Sequence, residues 1–200
     1  MERYGFFGGS FNPPTYAHLE IAKLSLINLK LDKVFFVPVG NNYKKPEMIE
    51  ENLRYEMLKL MCEEEKNIAV EPLELNQSKS LNTIQAFEKI QERYKDSENY
   101  YIMGADNFVK LPMWEESEKL ISNYKFIIFR RKDIELDKAL KNNELIKKYI
   151  KNFNILDIKE NLNCSSGIIR NLIKQGKSEL AEKYTKVEVI NYINKNKLYI

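Results

Sequence analysis

Tyr4-Gly5-Phe6-Phe7-Gly8-Gly9-Ser10-Phe11-Asn12-Pro13-Pro14-Thr15-Tyr16-Ala17-His18 lies at the start of the chain. The apolar run Tyr4 to Phe7 reads as a strand, and a helical pattern begins near Thr15. A glycine turn separates them. Strand, glycine turn and helix start, in that order, build an anion site. Glycines let main-chain N–H groups approach a phosphate closely, and a helix N-terminus adds free N–H donors and a partial positive charge. His18, the one histidine of the chain, falls in the first turn of that helix. A lone histidine is often a core residue, but the flanking glycines and the helix start favour a phosphate-facing role here.

Outward from this stretch, short apolar runs alternate with helical patterns. Strands are expected at Tyr4–Phe7, Val34–Val37, Ile68–Val70, Tyr100–Met103, Phe126–Phe129 and Phe153–Ile158. Helices are expected from Ala17 to Leu31, with Ile21, Leu24, Ile27 or Asn28, and Leu31 on the inner face. Further helices are expected around Leu53–Met61, Thr83–Tyr94, Ala105–Lys110, Trp114–Ile121, 133–152, Ser165–Lys174 and Val187–Asn196. Strands alternating with helices imply a Rossmann-like α/β fold, an open, mostly parallel sheet with right-handed crossovers and helices on both faces. A small helical C-terminal extension, about 160–200, completes a single domain spanning 1–200.

In such sheets ligands bind beyond the carboxyl ends of the strands. The polar clusters fall there. Gly8–Phe11 follow strand one, Gly40–Lys45 strand two, Gly104-Ala105-Asp106 strand four, and Arg130-Arg131 strand five. One ligand at that edge would touch all of them.

Composition narrows the chemistry. The chain has 200 residues, a formal charge of +3 and interleaved acids and bases. That does not indicate a general nucleic-acid surface, so any anion site is local. Two distant cysteines, Cys62 and Cys164, and one histidine offer no metal-ligand spacing. Reduced thiols, no signal-like apolar segment and no run near the roughly 20 apolar residues of a membrane helix give a cytoplasmic expectation with no membrane partner. The Gly-x-Gly-x-x-Gly dinucleotide pattern and the Gly-Lys-Ser/Thr phosphate loop are both missing. Lys44 and Lys45 read either as a solvated pair or as a point-charge clamp. Ser165 and Ser166 read as helix caps, Asp106 as a candidate for ribose hydroxyls, and Trp114 as either core or a stacking surface. Cys164 has no base nearby and reads as packing.

The opening stretch resembles the signature of the nucleotidyltransferase superfamily, Gly-Gly-x-Phe-(Asp/Asn)-Pro-x-(His/Thr)-x-(Gly/Ala)-His. Within it the chain most resembles bacterial nicotinate-nucleotide adenylyltransferases. Cys164-Ser165-Ser166-Gly167-Ile168-Ile169-Arg170 is similar to that family's Ile-Ser-Ser-Thr-x-Ile-Arg. Gly104-Ala105-Asp106-Asn107 with Leu111 and Trp114 matches its Gly-x-Asp-(Ser/Asn)…Leu…Trp, and Leu198-Tyr199 echoes its ending.

The resemblance implies transfer of the adenylyl group of ATP to nicotinate mononucleotide, with Mg²⁺ carried on ATP. It implies catalytic roles for His18, Lys45 and Arg170. ATP would be held by Gly8, Gly9, Ser10, Phe11, Thr15, His18, Lys44, Gly104, Asp106, Arg131, Ser165, Ser166, Ile169 and Arg170. The mononucleotide would be held by Ser10, Lys45, Lys79, Ser80, Leu81, Thr83, Asp106 and Trp114. Lys79 stands where the family has Tyr, and its cation would help to choose the acid over the amide. Which of Lys44 and Lys45 clamps the triphosphate stays open. Nicotinamide mononucleotide or phosphopantetheine as acceptor, and a non-catalytic ATP-binding module, are the alternatives; a monomer or a homodimer is expected.

Overall fold

A computed structural model describes residues 1–43, 45–79, 81–130, 136–158 and 164–200. Lys44, Ser80 and Arg131 therefore lie outside the described residues. Among the described residues six strands form one sheet, entirely parallel: β1 (Glu2–Gly9), β2 (Lys33–Pro38), β3 (Ile68–Val70), β4 (Ser97–Gly104), β5 (Lys125–Arg130) and β6 (Phe153–Asp157). Their spatial order is β3-β2-β1-β4-β5-β6. The order reverses between β1 and β4, which are direct neighbours with Phe7 opposite Ile102. A reversal of this kind opens a crevice at the carboxyl ends of the strands.

The helices that pack on the sheet are α1 (Tyr16–Leu29), α2 (Glu51–Cys62), α3 (Thr83–Arg93), α4 (Ala105–Lys110), α5 (Ser117–Asn123), α6 (Leu136–Asn142), α7 (Glu144–Lys148), α8 (Ser166–Lys174), α9 (Ser178–Ala181) and α10 (Val187–Lys195). Each face of the sheet carries its own core. On one, Phe7, Phe36, Ile102 and Phe129 meet Ile21 of α1, Met57 of α2, Ile169 of α8 and Ile190 of α10. On the other, Phe6, Phe35, Met103 and Ile128 meet Phe87 of α3, Phe108 of α4 and Leu120 of α5. Strands buried on both faces read as continuous apolar runs, which is why Phe6-Phe7 and Phe35-Phe36 can point adjacent bulky rings to opposite sides.

Three expectations are corrected. Ile27 is 74% exposed, because at 100° per residue it lies about 120° round the helix from Ile21. Asn28 is exposed too, and the inner face instead runs through Ala17, Ile21, Ala22 and Ser25. Leu31 is buried, but it lies past the helix, beyond Lys30 in the left-handed region at φ 51°. A continuous helix from Trp114 does not form. A 3₁₀ turn covers Leu111–Met113, Trp114 is extended, and Glu116 at φ 50° resets the chain before α5. The short α9 carries no clear apolar period and was not expected. Among the described residues no helix is long and apolar enough to cross a membrane.

Candidate active site

The glycine turn leaves β1 beside β2, with Gly8 opposite Val37 and Gly9 opposite Pro38. A Cβ on Gly8 would sit 3.1 Å from the Tyr101 hydroxyl oxygen, and one on Gly9 3.0 Å from the Phe11 ring. Phe11 adopts φ 46°, a left-handed conformation that a bulky residue keeps only when its surroundings demand it. Those surroundings are aromatic. The buried Phe11 ring meets Phe36 edge-on at 5.2 Å and His18 edge-on at 5.1 Å between centroids. Phe11 is thus the platform beneath His18.

Thr15 caps α1. His18 N–H donates to the Thr15 hydroxyl at 3.4 Å, and Thr15 N–H donates to His18 Nδ1 at 3.0 Å. This reciprocal capping box uses histidine where glutamate is usual, so the cap itself fixes the imidazole.

The start of α8 docks directly onto this turn. Ser165 is its N-cap, accepting from Ile168 N–H at 3.4 Å. Ser166 Oγ donates to the Pro13 carbonyl at 2.7 Å, and Arg170 NH1 donates to the Asn12 carbonyl at 3.0 Å. Two motifs separated by some 150 residues of sequence are in hydrogen-bond contact. On the other side, Lys45 Nζ reaches Ser10 Oγ at 3.4 Å.

Two charged residues of α2 that sequence reasoning did not single out hold these loops. Arg54 is fully buried. Its guanidinium donates to three carbonyls, Ile49 at 3.0 Å, Ser10 at 2.9 Å and Val39 at 2.6 Å. Glu51 accepts from Asn41 N–H at 2.6 Å and Asn76 N–H at 2.9 Å. Burial pulls the Arg54 pKa below its ordinary value. A charged residue inside the apolar pattern Leu53, Met57, Leu60, Met61 was the available signal. Asn12 was also missed. Its side chain donates to the Glu47 carbonyl at 2.9 Å and accepts from the Tyr199 hydroxyl at 2.8 Å.

A cavity of about 820 Å³ opens where these parts meet, a size suited to small-molecule sites. His18, Ser165, Ser166 and Arg170 line it from the α1 and α8 side, with Gly8, Gly9, Ser10, Phe11 and Lys45 along the strand ends. From the opposite face come Leu81, Thr83, Gly104, Asp106 and Trp114. A Cβ on Gly104 would stand 2.5 Å from Asp106 Oδ1, so the glycine lets that carboxylate fold back over the start of α4. Three expected residues do not line the cavity. Thr15 is fully buried beneath His18, Ile169 is in the core behind Arg170, and Lys79 is exposed outside the lining.

Groups that the sequence did not suggest complete the wall. The Glu74 carboxyl is pushed up to about 7 by burial, opposed by the nearby Arg54. Burial also raises the Tyr101 hydroxyl, with Thr83 acting in the opposite direction. Cys164 lines the cavity and donates its Sγ hydrogen to the Tyr184 carbonyl at 3.0 Å, a packing arrangement. Among the described residues no group of three or more histidine, cysteine, aspartate or glutamate side chains is placed to hold a metal ion.

The sequence profile of the cytidylyltransferase-like family matches residues 6–172. The chain is 34% identical over 203 residues to a Clostridium acetobutylicum protein described as a probable nicotinate-nucleotide adenylyltransferase, covering 100% of both. The chain belongs to the nicotinate-nucleotide adenylyltransferase family. An Acholeplasma laidlawii member, again described as probable, is 34% identical over 194 residues, covering 96% of this chain and 95% of its own. The fold matches the Plasmodium falciparum nicotinic acid mononucleotide adenylyltransferase complexed with NaAD at a TM-score of 0.81 and 25% identity, covering 100% and 98% of the two chains. The Rossmann-like sheet expected of a nicotinate-nucleotide adenylyltransferase is therefore present, with the helical C-terminal part packed on it.

Proposed function

We propose that the chain transfers the adenylyl group of ATP to nicotinate mononucleotide, yielding nicotinate adenine dinucleotide and pyrophosphate in NAD biosynthesis. The observation that carries this reading is the docking of Ser166 on Pro13 and of Arg170 on Asn12. It joins the two segments that resemble the family's phosphate motifs at one end of a cavity whose other side holds Asp106 and Trp114.

The nucleophile is a phosphate monoester with a second pKa of about 6, so it arrives mostly dianionic and requires no general base. It attacks the α-phosphorus of ATP, and the bond to the pyrophosphate leaving group breaks. The work of the protein is to neutralise and align two anions that repel each other. His18, Lys45 and Arg170 would supply positive or donor groups at the transferring and leaving phosphates. Ser165, Ser166 and the α8 N-terminus would hold the β and γ phosphates. Gly8, Gly9 and Ser10 leave room for close approach of both substrates. Phe11 and Thr15 would act through His18, and Ile169 through the seating of Arg170. Trp114 would stack on the pyridine ring, with Asp106 on ribose hydroxyls and Leu81 and Thr83 beside the mononucleotide. Lys44, Ser80 and Arg131 keep the roles the family resemblance implies. Mg²⁺ would arrive on the triphosphate as part of the substrate, held largely by phosphate and water. A cytoplasmic enzyme is the accompanying proposal for the compartment.

Pyrophosphate release with ATP and a panel of nicotinate mononucleotide, nicotinamide mononucleotide and phosphopantetheine tests the reading. Turnover greatest with nicotinate mononucleotide is expected. Turnover with none of them, or with phosphopantetheine alone, would overturn it.

A further inference from the structure

Glu47 lies two residues beyond Lys45 in the loop after β2, and its main chain is pinned. Its φ is 59°, a left-handed conformation that a non-glycine residue retains only where its neighbours over-determine it. The neighbour is Asn12, whose Nδ2 donates to the Glu47 carbonyl at 2.9 Å and whose Oδ1 accepts from Ile49 N–H at 3.3 Å. That fixed backbone aims the carboxylate at α8. There Glu47 Oε2 lies 3.2 Å from Arg170 NH2, and Oε1 accepts from Lys174 Nζ. Arg170 and Lys174 are four residues apart and so share one face of the helix. A single carboxylate thus pairs with both cations of α8, one of which lines the cavity.

The ion pairs are built for exchange. The side chains of Glu47, Arg170 and Lys174 are 51%, 20% and 47% exposed, and exposed pairs are held weakly. The two cations keep the Glu47 carboxyl below its usual range, so it stays ionised across neutral pH. A triphosphate brings several negative charges against its one. Arg170 Nε is buried without a hydrogen-bond partner among the described residues, so the guanidinium's donors are not all satisfied with Glu47 in place.

We infer that Glu47 is a displaceable internal anion, a positioning residue that occupies Arg170 and Lys174 until a triphosphate takes its place, and that Lys174 is a further triphosphate-binding residue. The same exchange releases the loop that carries Lys45 from its tie to α8. This rests on the proposed function only in naming the incoming anion as the triphosphate of ATP.

Inorganic tripolyphosphate, which lacks the adenosine and cannot react, is the probe. Its binding is measured by isothermal titration calorimetry at fixed ionic strength. Glu47→Gln keeps the main-chain bond to Asn12 but removes the charge, and is expected to bind tripolyphosphate about five-fold tighter. Glu47→Asp keeps the charge and is expected to stay within about two-fold of the unaltered chain. Lys174→Ala, made in the Glu47→Gln background, is expected to weaken binding by about five-fold. A brace that only held the loop in place would lose affinity when its charge is removed. Unchanged or weaker binding by Glu47→Gln would overturn the inference, as would an equal gain in Glu47→Asp. Calorimetry needs no turnover, so failure here is distinct from failure of the adenylyl-transfer assay.

Discussion

The Thr15 main-chain N–H donates to Nδ1 of His18 across 3.0 Å, and the Thr15 hydroxyl lies 2.9 Å from the same nitrogen. Nδ1 is therefore an acceptor, and a neutral His18 carries its proton on Nε2. The helix cap thus sets the tautomer, and Nε2 is a donor. His18→Ala is expected to lower kcat by roughly 10²- to 10³-fold, with a smaller change in KM for ATP. His18→Gln places an N–H near the Nε2 position and should retain more turnover than His18→Asn. Steady-state kinetics of the three variants check this, and full turnover in His18→Ala would remove His18 from the site.

Arg54 organises the site without lining it. Its guanidinium satisfies carbonyls from the glycine turn, from the end of β2 and from the start of α2. Removing it takes the donor from three part-buried carbonyls. Arg54→Met is expected to cost about 3–5 kcal/mol, a fall in Tm of roughly 10 °C for a chain of this size. Arg54→Lys should lose more than half as much, because one ammonium cannot reproduce the planar fork. Thermal unfolding by circular dichroism reads both.

The sheet and its site-bearing edge were legible because their signals are local. Phe35-Phe36-Val37 and Phe126-Ile127-Ile128-Phe129 are apolar on both faces, and the glycine turn and the Ser165–Arg170 segment carry their meaning in adjacent residues. What stayed hidden depends on distant partners. Nothing near Asn12 in sequence indicates that it will bond Glu47 and Tyr199, which lie 35 and 187 residues away. The position of Trp114 depends on Glu116 adopting φ 50°, a turn that no residue type there announces. Glu74 looks like any charged loop residue until β3 and α2 carry it into the cavity wall.

The bond from Tyr199 to Asn12 ties residues 198–200 to the segment that follows the glycine turn. The Tyr199 hydroxyl donates to Asn12 Oδ1 at 2.8 Å, and burial raises the pKa of that hydroxyl. Asn12 in turn fixes the Glu47 backbone and receives Arg170 on its own carbonyl. Tyr199→Phe removes one hydroxyl and is expected to cost about 1 kcal/mol in urea denaturation. It should also raise KM for ATP more than it lowers kcat, since the disturbed atoms seat Arg170. A variant with unchanged KM would confine Tyr199 to packing.

Glu74 gives the site a dependence on pH near neutrality. Its carboxyl is raised from 4.5 to about 7 by burial, with Arg54 pulling the other way. The native chain therefore holds this proton to a higher pH than the unfolded chain does. The contribution to stability is complete below pH 4.5, falls as pH rises towards 7 and is lost above it. Glu74→Gln removes that dependence, so the variant should match the parent at pH 4.5 and exceed it at pH 8 by on the order of 2 kcal/mol. Binding should follow the same proton. The carboxyl lines the cavity, and once ionised it repels an anionic mononucleotide. Affinity for nicotinate mononucleotide should fall between pH 6.5 and 8 in the parent and much less in Glu74→Gln. The substrate phosphate also titrates, with a second pKa of about 6, but it is common to both proteins and cancels in their ratio. A ratio that stays constant across this range would show that Glu74 does not face the bound mononucleotide.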